Sequence, residues 1–145
     1  MPTISGVSHI DLTVSDVVAS ERWYANLLGA VRVLEGRNDE HHFQSRYLLD
    51  PTSLLLLGLV QHDENASPVF DERRGGLDHL AFNVDDRDGL DAWMAHLDDL
   101  DVAYDLNESD LWDVVVLRDP DNIQLEFFLM KADPATFIAA AEAVV

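Results

Sequence analysis

The feature that most constrains the fold of this chain is an internal repeat that covers most of its length. Residues 6–16, Gly-Val-Ser-His-Ile-Asp-Leu-Thr-Val-Ser-Asp, are matched by residues 76–86, Gly-Leu-Asp-His-Leu-Ala-Phe-Asn-Val-Asp-Asp. A glycine, a histidine, a valine and an aspartate recur 70 residues apart, and the Asp50-Pro51 pair recurs as Asp119-Pro120. One order of elements occurring twice predicts two copies of a supersecondary unit that cannot close its own sheet edges.

Each copy has the pattern of a strand, a helix and three further strands. Alternation of apolar and polar residues predicts the first strands at 7–14 and 77–84. Asp16 and Asp86 are placed to cap the helices that follow, and Gly29 suits the end of the first helix. The remaining strands are predicted at 31–34, 42–49 and 54–61 in the first copy and at 102–106, 111–117 and 123–129 in the second.

These elements predict an α+β fold in which two tandem βαβββ modules form a curved eight-stranded mixed sheet, a half-open barrel. We expect one domain over residues 1–145. Its parts would be module one at 5–62, a polar linker at 63–75, module two at 76–130 and a C-terminal helix at 133–143.

Composition limits the classes of partner. The chain has 28 acidic and nine basic residues, a net charge of −19 that repels nucleic acids and anionic membrane surfaces. It has no cysteine, which excludes disulfides and thiolate ligands. Its longest apolar run, 54–60, is far shorter than the ~20 residues that span a bilayer. We see no signal peptide and expect a cytoplasmic protein that binds a small molecule, and neither nucleic acid nor membrane.

Three potential metal ligands share one strand parity. His9, His79 and Glu126 lie on the parity opposite to the apolar series of their strands, so they are predicted on the face turned away from the helices. Alone, each is more often a structural or solvated residue. Together, and with the two histidines at matching repeat positions, they favour a divalent ion at the centre of a cup if the sheet curls. Nitrogen and oxygen ligands suit iron, manganese, zinc, nickel or cobalt.

Candidate substrate-binding residues follow from the same parity. Asp11, Asn83 and Gln124 share the face of the potential ligands, and Trp112 is placed to line the mouth, although a core tryptophan fits its pattern about as well. The sequence singles out no catalytic acid or base.

The repeat and these residues resemble the vicinal oxygen chelate superfamily, which includes glyoxalase I, extradiol dioxygenases, fosfomycin-resistance transferases and bleomycin-resistance proteins. The resemblance extends over 6–129, and residues 117–127, Leu-Arg-Asp-Pro-Asp-Asn-Ile-Gln-Leu-Glu-Phe, are similar to the closing signature of the family. It implies the βαβββ repeat, the ligands His9, His79 and Glu126, and a homodimer. Glyoxalase I has a further acidic ligand on the last strand of module one. Counting from the Asp-Pro turns predicts Leu57 at that place, which cannot bind metal.

The resemblance implies a metal-dependent enzyme, dioxygenase-like or isomerase- and lyase-like, that acts on a small oxygen-chelating substrate. Two alternatives remain open from the sequence. One is a metal-free protein of the same fold that sequesters a cationic drug, which the acidic composition favours. The other is a purely structural dimer. The sequence also leaves open whether one chain or two complete the cup.

Overall fold

The chain folds into two compact units. The computed structural model describes residue 4 and the ranges 6–65 and 69–133. Module one ends at Phe70 and module two begins at Asp71. The strands fall into two four-stranded mixed sheets, one in each module, so the α+β fold of two tandem βαβββ modules is confirmed. Of the helix predicted at 133–143, only residue 133 lies within the described residues.

Module one follows the predicted order. Asp16 begins its helix by accepting hydrogen bonds from the backbone N–H groups of Val18 and Ala19, and Gly29 ends it in a left-handed conformation (φ 64°). The sheet order is first, last, third and second strand, with the first and last strands parallel. The elements are β1 (Ile10–Thr13), α1 (Val17–Leu28), β2 (Val31–Asn38), β3 (Phe43–Leu49) and β4 (Leu56–His62).

Module two repeats this arrangement. Asp86 caps its helix by accepting a hydrogen bond from Gly89 N at 2.8 Å. The sheet again places the last strand beside the first, in parallel. The elements are β5 (His79–Asn83), α2 (Arg87–Asp99), β6 (Tyr104–Glu108), β7 (Trp112–Arg118) and β8 (Gln124–Met130). Neither described helix is long and apolar enough to cross a bilayer.

The predicted strand ends differ from the observed ones for two reasons. β1 and β5 are shorter than predicted, because their ladders to β4 and β8 begin only at Ile10 and His79. β2 is longer, since the polar residues 35–38 continue the ladder with β3. An edge strand that is exposed almost throughout has no apolar alternation that would reveal its length.

Each helix covers one face of its own sheet. In module two, Trp93 of α2 stacks on the fully buried Phe127 of β8 with ring centroids 3.8 Å apart. In module one, Arg46 of β3 forms an ion pair with Glu21 of α1. Leu59 of β4, which pairs with Arg46 in the ladder, is fully buried. The apolar parity therefore faces the helices, as predicted, and the other parity forms what we call the open face of each sheet.

Candidate functional site

The open face of module two brings a histidine and a glutamate together. In the parallel ladder of β5 and β8, His79 lies opposite Gln124 and Ala81 lies opposite Glu126. His79 and Glu126 therefore sit on adjacent strands, one ladder step apart, and on one face. His79 Nε2 lies 3.6 Å from Glu126 Oε2. The His79 side chain is 40% exposed and that of Glu126 is 13% exposed, so neither side chain is fully buried.

This spacing fits two ligands of one ion. Donors that each lie about 2.1 Å from a divalent ion, at angles of about 90–109°, are separated by about 3.0–3.4 Å. The observed 3.6 Å is close to that separation. An imidazole nitrogen and a carboxylate oxygen are also a donor set that first-row divalent metals accept. The pair therefore fits a metal in both chemistry and spacing, although the same geometry would suit an ion pair if His79 were protonated.

Neighbouring side chains hold both members of the pair. Asp78 Oδ1 lies 2.7 Å from His79 Nδ1. With a proton on Nδ1, His79 donates to this carboxylate and presents the lone pair of Nε2 towards Glu126. On the other side, Gln124 Nε2 donates to Glu126 Oε1 at 2.9 Å, and Gln124 Oε1 accepts from Arg118 at 2.9 Å.

Arg118 in turn is held by Glu72. Its guanidinium donates to both carboxylate oxygens of Glu72, at 3.1 and 3.3 Å, and to the carbonyl oxygen of Asn122 at 3.0 Å. Arg118 holds the pKa of Glu72 below its usual range. Glu72 thus holds Arg118, and Arg118 holds the amide oxygen of Gln124. The amide nitrogen of Gln124 is thereby directed to Glu126.

The other residues predicted on this face of module two are found there. Asn83 of β5 pairs with Phe128 of β8, and Trp112 of β7 pairs with Met130 of β8. Phe128 and Met130 lie two and four residues after Glu126, so all of these residues are on the same face. The Trp112 ring stacks on Phe128 with centroids 6.2 Å apart and is 37% exposed. The alternative that Trp112 is a core residue is therefore wrong, since its side chain is exposed whereas those of Asp113, Val114 and Val115 are buried.

The open face of module one carries a different set. His9 lies just before β1, with its Nδ1 3.0 Å from Ser8 Oγ and its ring edge-on to Tyr47 at a centroid distance of 6.5 Å. Asp11 pairs with Gly58 of β4, which pairs in turn with Tyr47 of β3. Tyr47 Oη lies 3.5 Å from Asp11 Oδ2. Burial, followed by the nearby Asp11 charge, raises the pKa of Tyr47.

Neither module by itself completes a metal centre. Within the described residues of each module, no group of three or more histidine and carboxylate side chains is close enough to hold an ion. The predicted set of His9, His79 and Glu126 takes ligands from both modules and stays a prediction.

A sequence model of the Glyoxalase/Bleomycin resistance protein/Dioxygenase superfamily matches residues 6–127. The chain belongs to this superfamily. The match covers both modules, from the glycine before His9 to the residue after Glu126. No protein of curated function matches the chain.

Solved structures of the superfamily share the fold. A glyoxylase/bleomycin resistance protein/dioxygenase domain from Frankia sp. EAN1pec is 35% identical, with a TM-score of 0.80, covering 89% of this chain and 94% of that one. A glyoxalase family protein from Enterococcus faecalis is 23% identical (TM-score 0.70; 86% and 97% covered). The fosfomycin resistance protein FosX from Listeria monocytogenes, solved with Mn(II) and sulfate, is 18% identical (TM-score 0.64; 94% and 99% covered). The last two establish likeness of fold alone.

The structure corrects the place that corresponds to Glu126 in module one. Counting from the Asp-Pro turns predicts Leu57, which is wrong, because Leu57 is buried on the helix-facing side. Glu126 pairs with the residue two after His79, and the residue two after His9 pairs with Gly58. The turn after Asp50 closes on Leu55, five residues on, whereas that after Asp119 closes on Ile123, four on. The extra residue shifts β4 by one, and Gly58 cannot bind metal either.

Three residues of the two open faces or their supporting contacts were not predicted from the sequence. Tyr47 lies on β3, which the repeat does not mark. Asp78 and Arg118 lie next to predicted ligands or in the closing signature, but only tertiary contacts reveal what they hold. The adjacency of Asp78 and His79 is the one signal that the sequence offered, since a carboxylate beside a histidine often orients it.

Proposed function

We propose that this protein is a metal-dependent enzyme that acts on a small substrate offering two oxygen atoms. His79, Glu126 and His9 are the proposed ligands, with His9 taking in module one the place that His79 takes in module two. The observation that carries the proposal is the His79–Glu126 pair, 3.6 Å apart on an open face and held from both sides by Asp78 and Gln124.

The residues of this face have separate roles in the proposal. Asp78 keeps the proton of His79 on Nδ1, and Gln124 aims one oxygen of Glu126 while leaving the other directed to His79. Asn83 and Trp112 contact the substrate from the same face. A bound divalent ion would supply Lewis acidity towards two substrate oxygens. The reaction is dioxygenase-like or isomerase- and lyase-like, and a homodimer remains part of the proposal.

Metal analysis tests this function directly. Protein purified without chelator is examined for iron, manganese, zinc, nickel and cobalt, and the metal-free protein is titrated with Mn(II), the ion present in the FosX structure. We expect saturable binding that weakens at least ~10-fold in His79→Ala, Glu126→Gln and His9→Ala, since loss of a supporting residue alone costs about 10–100-fold.

Matched variants separate ligand loss from general effects. His41→Ala removes an exposed histidine and Glu40→Gln an exposed glutamate. Both should bind Mn(II) like the parent protein. If His79→Ala holds as much metal as the parent, the proposed site is wrong.

One observation favours a second function. The net charge of −19 suits a protein that sequesters a cationic small molecule without a metal, as the resemblance to bleomycin-resistance proteins suggests. Absence of metal in the purified protein and failure of Mn(II) to bind, together with tight binding of a cationic small molecule, would replace the enzyme with this function.

A further inference from the structure

The two modules place their open-face carboxylates on opposite members of the same strand pair. In module two the small Ala81 on β5 lies beside Glu126 on β8. In module one Asp11 on β1 lies beside Gly58 on β4. The acidic and the small residue have thus exchanged strands between the modules, and each sheet keeps one carboxylate at this ladder position.

Gly58 is what allows the Asp11 carboxylate to lie where it does. A Cβ at position 58 would stand 2.7 Å from Asp11 Cγ and 2.9 Å from Tyr47 Cε1, and still closer to Asp11 Oδ1. These separations are well inside van der Waals contact. The carboxylate therefore lies over the backbone of β4, in the space of the missing side chain and next to the Tyr47 ring.

Asp11 differs from Glu126 in its partners. Among the described residues, no lysine, arginine or histidine nitrogen lies within ion-pair distance of Asp11, whereas Glu126 faces His79. The hydrogen bond that Asp11 accepts comes from Tyr47 and is long, at 3.5 Å. Asp11 is thus an exposed carboxylate beside the aromatic ring of Tyr47. Unlike Glu126, it has no histidine nitrogen of the described residues within ion-pair distance.

A carboxylate beside a phenol ring can recognise a cation that lies between the carboxylate and the face of the ring. The carboxylate supplies a charge-assisted hydrogen bond, and the ring adds a cation–π attraction. A neutral hydroxyl gains much less from either group. We propose that Asp11, Tyr47 and Gly58 form a subsite for a protonated amine of the substrate. This inference deepens the proposed function and rests on it: the substrate then carries an ammonium group besides its two oxygen atoms.

The subsite can be tested on the full chain without metal. The chain has three tyrosines, Tyr24, Tyr47 and Tyr104, so isotope-labelled tyrosine rings give three sets of NMR signals, and Tyr47→Phe assigns one of them. The labelled protein is titrated with n-butylammonium in the presence of chelator and, separately, with the neutral n-butanol. We expect the ammonium ion to shift the Tyr47 signals saturably and to leave those of Tyr24 and Tyr104 in place, and n-butanol to shift none.

Two pairs of variants isolate the contacts. Asp11→Asn should weaken n-butylammonium binding about 10-fold or more, because the neutral amide cannot accept a charge-assisted hydrogen bond as a carboxylate does. Glu40→Gln changes the net charge equally and should not weaken it. Gly58→Ala should weaken binding by displacing Asp11 and Tyr47, whereas Gly36→Ala, whose added Cβ would meet only Ser45 Oγ at 3.9 Å, should not. If Gly58→Ala fails to fold, the near-isosteric Asp11→Asn decides.

The inference is overturned by equal binding to Asp11→Asn and the parent, by equal shifts from n-butanol, or by shifts of all three tyrosines. Because chelator is present, these outcomes are independent of metal. Binding of the ammonium ion without any binding of Mn(II) would end the proposed function alone, and the reverse result would end the subsite alone.

Discussion

At the scale of single residues, Glu126 has more polar partners than a solvated strand glutamate requires. Gln124 donates to one of its oxygens and His79 faces the other. Gln124 is fixed in turn by Arg118, so its amide cannot rotate without losing a hydrogen bond to a charged group. Gln124 was predicted to bind substrate. That role stays a prediction, and the structure adds that the residue holds Glu126.

Substitution of Gln124 tests this positioning. We expect Gln124→Ala to weaken Mn(II) binding by about 10–100-fold, because the freed Glu126 oxygen no longer has one orientation. Isothermal titration calorimetry measures the Kd. Gln44→Ala, which removes a half-buried glutamine that donates to Gln61 in module one, should leave it unchanged. An unchanged Kd in Gln124→Ala would show that Glu126 needs no orienting partner.

At the scale of elements, one buried carboxylate ties the strands of module two to its helix. Asp113 of β7 lies on the helix-facing side, where its side chain is only 2% exposed. Arg87, the first residue of α2, lies 3.3 Å from it, and Lys131 lies 2.5 Å from it. Arg87 also reaches Glu108 of β6 at 2.5 Å. A buried carboxylate requires such cations, because it would otherwise be left uncompensated.

This network predicts a pH dependence of stability. The hydrogen bond from Lys131 holds the pKa of Asp113 below its usual range. A lowered folded-state pKa contributes stability above the ordinary value, about 4, and this contribution disappears as the pH falls through the folded-state pKa. We expect Asp113→Asn to be less stable than the parent at about pH 7, with a difference that narrows below about pH 4.

Urea unfolding at several pH values measures the difference between Asp113→Asn and the parent. Asp105→Asn, an exposed aspartate on the neighbouring β6, serves as the control and should match the parent at each pH. A difference that stays constant from neutral to acidic pH would contradict the role given to the Asp113 charge.

The attachment of α2 to its sheet gives a second prediction at this scale. Phe127 is fully buried and stacks on Trp93, whereas the adjacent Phe128 points to the open face. We expect Phe127→Ala to lower the free energy of unfolding by about 3–5 kcal/mol, and Phe128→Ala by less than half of that. Denaturant unfolding compares the two. Equal losses would mean that the open face is packed as tightly as the core.

At the scale of the whole molecule, like charges dominate. A net charge of −19 on 145 residues destabilises the compact state through self-repulsion, even though many arginines are paired. Added salt shortens the range of this repulsion. The same charge favours cationic over anionic ligands, in keeping with the subsite proposed at Asp11.

Salt should therefore stabilise this protein. We expect the Tm at neutral pH to rise when NaCl is added to a low-salt buffer. Salt screens both the repulsion among the acidic side chains and the attraction within ion pairs, and the repulsion is the larger of the two. Calorimetry at several NaCl concentrations measures the shift. Near the sequence pI of about 4.2, where the net charge vanishes, the rise should disappear. A Tm that falls with salt at neutral pH would mean that local ion pairs outweigh the net charge.

The sequence by itself determined the repeat, the order of elements, the helix caps and the faces of the residues on β1, β5 and β8. These features depend on local periods and turn chemistry, which are legible along the chain: Asp16, Asp86 and Gly29 do what their positions predict. Asn122, within the closing signature, adopts a left-handed backbone with φ 68°, which asparagine tolerates better than most residues. His79 and Glu126 meet because strand parity and parallel pairing leave few other arrangements.

Only the tertiary structure decided the pairing register of β4 with β1 and the hydrogen-bond partners of the long polar side chains. One extra residue in the turn after Asp50 moves Gly58, and not Leu57, beside Asp11, and a single-residue shift reverses every side chain of a strand. Likewise, Gln124 and Arg118 share a parity with many residues, and their hydrogen bonds to Glu126 and Glu72 depend on where long side chains end in space. Strand period determines the face of a side chain, but its contacts follow from the packing of segments distant in sequence.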